Sequence, residues 1–263
     1  MNNPLASERE RPAVVIITGA SSGLGASLTR LLDRTLPADV ALWLIARNPE
    51  KLEGFAGGLE HESRCFALDL KEPEAALPLE RALEEVEPRV QLLINNAGEG
   101  CSGSFCDLDR DSHLAVSDLN IRAQLLMTSL VRPYMEAGSS ILFTASVAAF
   151  LPQPGFAAYA ASKAFILSFG RALREELKGE GIGVTVTCPN PMLTDFFTEE
   201  QKKALLSSYK RFGIEDPDRV AEKTLQAIRR KKGVVVTSPS GRLIRFLSKI
   251  LPAGWIIHFI NFK

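Results

Sequence analysis

AVVIITGASSGLG, residues 13–25, asks for two different backbones in thirteen positions. AVVIIT is a continuous run of β-favouring apolar side chains, as expected of a strand covered on both faces. TGASSGLG then supplies Gly19, Gly23 and Gly25. The first permits a tight turn, and the other two permit close backbone approach and helix–strand packing. The stretch that follows, LGASLTRLLDRTL, has apolar residues at helical spacing. A helix beginning near Leu24 would aim unpaired N–H groups and a positive dipole end at the turn, a place suited to a pyrophosphate. Gly19, Ser21, Ser22, Gly23, Leu24 and Gly25 are therefore candidate phosphate-binding residues. The spacing is GxxxGxG, different from GxGxxG, and a plain strand-to-helix turn is the competing reading.

Six further runs repeat the strand pattern: 39–46, 64–68, 91–95, 139–145, 182–187 and 233–237. They too are continuous and not alternating, and helical patterns separate them. PEAALPLERALEEVE carries Pro78, where a helix breaks or begins anew. This alternation predicts an α/β fold, a doubly wound, seven-stranded, mainly parallel sheet with helices on both faces. With 263 residues, 46% of them apolar, one large domain over 1–240 is expected, followed by an apolar and basic tail over 241–263.

Composition narrows the functional classes. A formal net charge of zero gives no case for nucleic acid. Cys65, Cys101, Cys106 and Cys188 are too scattered for a disulfide framework and form no CxxC pair, so no metal site is expected. MNNPLASERERPA lacks the apolar core of a signal peptide, and no run reaches the roughly 18 apolar residues of a membrane span. A cytoplasmic protein is the expectation.

Two stretches point to chemistry. The second strand ends LIARNPEKL, where an acidic residue would hold ribose hydroxyls and an arginine would accommodate a 2′-phosphate. Ala46 and Arg47 stand there with no carboxylate, so the cofactor reading is NADP(H). YAASK places Tyr159 and Lys163 four residues apart on one helix face. A cation beside a phenol lowers its pKa, which makes a tuned proton donor. The other reading is two amphipathic side chains snorkelling from a half-buried helix.

TGASSGLG, NNAG (95–98) and YAASK, in this order and spacing, resemble the short-chain dehydrogenase/reductase family, single-domain branch, over roughly residues 12–195. The resemblance implies a Rossmann-type fold and a catalytic tetrad. Tyr159 would act as general acid or base, and Lys163 would lower its pKa and bind the nicotinamide ribose. Ser146 would hold the carbonyl oxygen, and Asn120 would position a water beside Lys163. Asp69 and Leu70 would meet the adenine, with an N-cap as the other reading of Asp69. Asn96, Ala97 and Gly98 would line the cofactor, as would Pro189, Met192 and Thr194. CPNPMLT departs from the family's Pro-Gly at Asn190 and Pro191. Cys188 reads as a small buried residue. Family members are often dimers or tetramers, so a homo-oligomer is expected.

The substrate would lie beyond the carboxyl ends of the strands. Segments 99–105, 148–156 and 192–201 are candidate walls, with Phe105, Phe150, Leu151, Phe156, Phe196 and Phe197 as apolar surface. Ser146, Phe150, Tyr159 and Phe196 are the candidate substrate contacts, and an apolar or acyl-chain carbonyl is expected. After Glu222 the chain has no acidic residue but nine lysines and arginines. In GRLIRFLSKILPAGWIIHFINFK the apolar residues follow helical spacing, and Trp255 opens a second run after Pro252. The tail either lies in a membrane interface or packs on the body or a neighbouring subunit, covering the substrate mouth. The leading reading is an NADPH-dependent carbonyl reductase. The alternatives are a cofactor-sensing regulatory or scaffold protein and a membrane-recruited interaction protein.

Overall fold

A computed structural model describes residues 11–207, 211, 213–252 and 254; the expectations for residues 1–10 and for the run opened by Trp255 lie outside it. Seven strands, β1 (Ala13–Thr18), β2 (Val40–Ala46), β3 (Ser63–Ala67), β4 (Arg89–Asn95), β5 (Ser140–Thr144), β6 (Gly183–Cys188) and β7 (Val234–Val236), form one sheet in the order β3-β2-β1-β4-β5-β6-β7. Every pairing is parallel. The sheet is thus wholly and not mainly parallel.

The continuous apolar runs are explained by two cores. Alternate side chains of a strand face opposite ways. Val14 and Ile16 of β1 join Trp43, Ile45, Leu93, Ile141 and Phe143 on one face. Ala13, Val15 and Ile17 join Leu42, Leu44, Ile94 and Leu142 on the other. The first face is covered by α3 (Leu77–Val86), α5 (Ala123–Val131) and α6 (Ala157–Glu176), through Leu79, Leu83, Met127, Val131 and Ile166. The second is covered by α1 (Gly23–Asp33), α2 (Pro49–Ala56) and α8 (Pro217–Arg229), through Leu28, Leu32, Leu52, Val220 and Leu225. Pro78 sits in the first turn of α3, so the helix begins there.

Three more α-helices among the described residues are α4 (Arg110–Ser117), α7 (Glu199–Ser207) and α9 (Pro239–Ile250). A π turn, Asp118–Arg122, joins α4 to α5 and carries Asn120. Among the described residues, no helix is long and apolar enough to cross a membrane. The strand order reverses between β1 and β4, which opens a crevice at their carboxyl ends.

Candidate active site

One cavity of about 1210 Å³ fills that crevice and runs from the glycine turn to α9. At its first end Gly19 adopts φ +67°, closed to most side chains, and donates its N–H to the Ile45 carbonyl at 2.8 Å. A Cβ on Gly25 would lie 2.0 Å from the Gly19 carbonyl oxygen, so the first turn of α1 rests directly on the loop. Ser22 stands at the N-cap of α1 but makes no side-chain cap bond, leaving the first N–H groups to a ligand. Gly19, Ser21, Ser22, Gly23 and Leu24 line the cavity; Gly25 does not, because it is spent on this contact. Gly25→Ala is accordingly expected to cost about 2–3 kcal/mol, read by denaturant unfolding. An unchanged midpoint would contradict the packing.

Arg47 lines the cavity where β2 ends. Its guanidinium is 59% exposed and stands 3.8 Å from Glu99, too far for a firm hydrogen bond. Asp69 lies off the cavity. Its carboxylate accepts from the Lys71 N–H at 3.1 Å and tightens a turn, and α3 starts only at Leu77, so it caps no α-helix either. Leu70 does line the cavity, as do Asn96, Ala97, Gly98, Pro189, Met192 and Thr194.

Tyr159, Lys163 and Ser146 meet in the middle. Lys163 is 3% exposed and donates from Nζ to the Thr144 carbonyl at 2.9 Å. Its ammonium lies 5.7 Å from the Tyr159 ring centroid. The Ser146 hydroxyl lies near that of Tyr159 and favours its ionised form. Asn120 is buried off the cavity: Oδ1 accepts from the Glu99 N–H at 2.9 Å, while Nδ2 donates to the Glu99 carbonyl and to Ser162 Oγ. A Cβ on Gly98 would meet Asn120 Oδ1 at 2.9 Å and Lys163 Nζ at 3.1 Å, so glycine lets amide and ammonium close on one point.

The expected lowering of the Tyr159 pKa is reversed. Burial of the hydroxyl outweighs the effect of Ser146 and pushes it up to about 12. The ammonium that was to lower it is turned to the Thr144 carbonyl instead. Burial also brings Lys163 down to about 8, and Cys188, fully buried, up to about 12. Tyr159 thus holds its proton at neutral pH.

The far end of the cavity is mainly apolar. Leu151, Phe156, Phe196 and Phe197 line it, and the rings of Phe156 and Phe196 flank Tyr159 at 5.8 and 5.7 Å between centroids. Two expected walls are elsewhere. Phe150 packs against the core beneath Arg245, and Phe105 is exposed, stacked on His113. Their neighbours Leu151 and Ser102 take the lining positions.

A sequence model described as short chain dehydrogenase matches residues 13–205, most of the chain. The chain belongs to the short-chain dehydrogenase family. It is 35% identical over 189 residues to sulfoacetaldehyde reductase 2 of Chromohalobacter salexigens, covering 70% of this chain and 74% of that protein. A short-chain dehydrogenase from Sphingobium yanoikuyae, solved with NADPH, superimposes with a TM-score of 0.72 at 26% identity, over 92% of this chain and 97% of that one. The 3-ketoacyl-(acyl-carrier-protein) reductase of Brucella melitensis, solved with NADH, shares the fold with a TM-score of 0.71 at 23% identity, over 87% and 98% of the two chains.

In this short-chain dehydrogenase several site residues escaped the sequence reading. Thr18 Oγ1 accepts from the N–H groups of Asn96 and Ala97 at 2.9 and 3.0 Å and donates to the Ile94 carbonyl, tying the ends of β1 and β4. Thr144 donates to Asn96 Oδ1 and offers its carbonyl to Lys163. A threonine closing an apolar strand at the reversal point was the available signal. Ile244 and Leu247 of α9 and Leu251 also line the cavity, so the described part of the tail packs on the body. Gln153 and Gln201 complete this end, and Gln201 donates to Ser102 Oγ at 2.8 Å across the opening.

Proposed function

We propose that the protein is an NADP(H)-dependent reductase of an apolar or acyl-chain carbonyl, with Tyr159 as proton donor and residues 11–252 working as one catalytic unit. The carrying observation is that a single cavity joins the bare N-terminus of α1 to the Ser146–Tyr159 pair. The glycine turn fits a dinucleotide, since its tight packing and uncapped N–H groups suit a pyrophosphate.

When bound, the nicotinamide supplies a hydride to the carbonyl carbon. The α1 N-terminus would hold the diphosphate, and Asn96, Ala97 and Gly98 the middle of the dinucleotide. Lys163 would meet the ribose, and Pro189, Met192 and Thr194 the nicotinamide end. Ser146 and Tyr159 donate hydrogen bonds to the carbonyl oxygen as it becomes negative, and Tyr159 then gives up its proton. Burial that keeps Tyr159 protonated leaves it ready to donate. Phe156 and Phe196 exclude water around the phenol.

Arg47 supports the NADP(H) preference because its guanidinium is exposed and only loosely held by Glu99. Arg47→Asp is expected to weaken NADPH binding about tenfold to a hundredfold while NADH binding holds or tightens, in a fluorescence titration. Equal loss for both would remove the phosphate-binding role. The carbonyl reading is tested by NADPH consumption with butanal, dodecanal and a 3-oxoacyl thioester. Turnover favouring the longer chains is expected, and turnover of short substrates alone would overturn the apolar assignment.

The outer face of α9 supports contact with a lipid surface. Leu243, Phe246 and Ile250 are 58%, 59% and 61% exposed, at the spacing of one helix face, in a region with no acidic residue. Cosedimentation with anionic vesicles is expected and should fall at least about tenfold in Phe246→Glu/Ile250→Glu. Equal sedimentation of the two proteins would contradict it.

A further inference from the structure

The turn after β6 carries Asn190, 7% exposed, where the resemblance leads one to expect glycine. Its Nδ2 donates twice, to the Gly213 carbonyl at 2.9 Å and to Ser240 Oγ at 2.8 Å. The Ser240 hydroxyl passes its own hydrogen to Ser238 Oγ, the N-cap of α9, which accepts the Gly241 N–H at 2.9 Å. The Asn190 backbone N–H donates to Glu215 Oε2 at 2.9 Å, and the same oxygen accepts from Thr237 Oγ1. One buried residue therefore joins the turn at the nicotinamide end, the loop at 213–215 and the first turn of α9.

The side chain comes at a cost, because Asn190 Oδ1 is buried without a partner. Glycine would carry no such penalty, so the amide is retained for its two donated bonds. What those bonds hold is the helix whose Ile244 and Leu247 form the apolar far wall of the cavity.

We infer that Asn190 is a positioning residue that latches α9 over the substrate end of the cavity and thereby sets selectivity for long apolar substrates; the selectivity part rests on the reductase reading. A short carbonyl is held by Ser146, Tyr159 and the flanking phenylalanines alone. A long chain reaches Ile244 and Leu247 and depends on α9 staying in place.

The test compares the full chain with Asn190→Gly, Ser240→Ala and Ser240→Thr, by hydrogen exchange of the α9 amides and by kinetics with NADPH and either butanal or dodecanal. In Asn190→Gly, exchange across residues 241–250 is expected to quicken about tenfold, as for the loss of one to two net hydrogen bonds. The dodecanal-to-butanal ratio of kcat/KM should fall about tenfold, mainly through the KM for dodecanal. Ser240→Ala should move both readouts the same way by less, and Ser240→Thr should keep them near wild type. Unchanged α9 exchange would overturn the latch, and an equal loss for both aldehydes would overturn its role in selectivity. If the wild type reduces neither aldehyde, the reductase reading fails for this class, and the selectivity role with it; the exchange comparison still decides the latch.

Discussion

Tyr159→Phe is expected to lower kcat/KM for carbonyl reduction about a thousandfold while leaving NADPH affinity and thermal stability near wild type. The substitution removes one oxygen and keeps the ring between Phe156 and Phe196. That oxygen does two things in the proposed reaction. With Ser146 it stabilises the developing negative charge, and it then supplies the proton that completes the alcohol. General acid catalysis of this kind contributes roughly a hundredfold to ten-thousandfold, and loss of an oxyanion donor adds to it. Stability should change little, because the only polar partner left behind is the Ser146 hydroxyl, which also accepts from the Ala148 N–H. Steady-state kinetics beside an NADPH titration checks both halves. Retained turnover would remove Tyr159 from proton transfer.

Lys163→Met should abolish most activity and yet stabilise the fold at neutral pH. Burial depresses the ammonium pKa from 10.5 to about 8, so the folded chain holds that charge at a cost of about 3 kcal/mol. Methionine removes the cost but strands the Thr144 carbonyl, which takes back about 1 kcal/mol. A net gain of about 2 kcal/mol is expected at pH 7. The sign follows from proton binding. Below about pH 8 both folded and unfolded chains hold the proton, and the penalty is complete. Between 8 and 10.5 only the unfolded chain holds it, so wild-type stability rises toward that of the variant. Denaturant melts from pH 7 to pH 10.5 should therefore show the advantage shrinking, crossing zero at about pH 10 and then reversing, because only the stranded Thr144 carbonyl remains. A variant less stable than wild type at pH 7 would contradict the desolvation account. A lysine kept at such a cost to the fold is what the proposed role of Lys163 requires.

The sheet was legible because its strands are buried on both faces, and AVVIIT must feed two cores at once. The glycine turn was legible because positive φ at Gly19 and the contact of Gly25 with Gly19 leave little other choice of residue. That Tyr159 and Lys163 share one face of a helix was legible from their spacing, but their electrostatics were not. Whether Lys163 faces the phenol or the Thr144 carbonyl depends on where β5 ends against α6, which no local pattern states. The expected cavity lining differs from the observed one by one to a few residues for a similar reason. Near the strand ends Phe150 and Leu151 are equally apolar, and the short 3-10 turn Val147–Phe150 decides which of them faces the cavity. Thr18 was hidden by being read as the last residue of a strand, although its hydroxyl organises Asn96 and Ala97. For α9 the amphipathic pattern allowed either a membrane interface or packing on the body or a neighbouring subunit; Ile244 and Leu247 line the cavity, while Leu243, Phe246 and Ile250 are exposed.

The most direct measurement follows the hydride itself. Purified protein would be mixed with dodecanal and NADPH carrying deuterium on the transferable position of nicotinamide C4, and the alcohol product examined by mass spectrometry. One deuterium on the carbinol carbon is expected in wild type, with almost no product from Tyr159→Phe in the same time. Tight NADPH binding with no labelled alcohol from dodecanal or a 3-oxoacyl thioester would contradict the proposed reduction and leave a protein that senses the cofactor without using it.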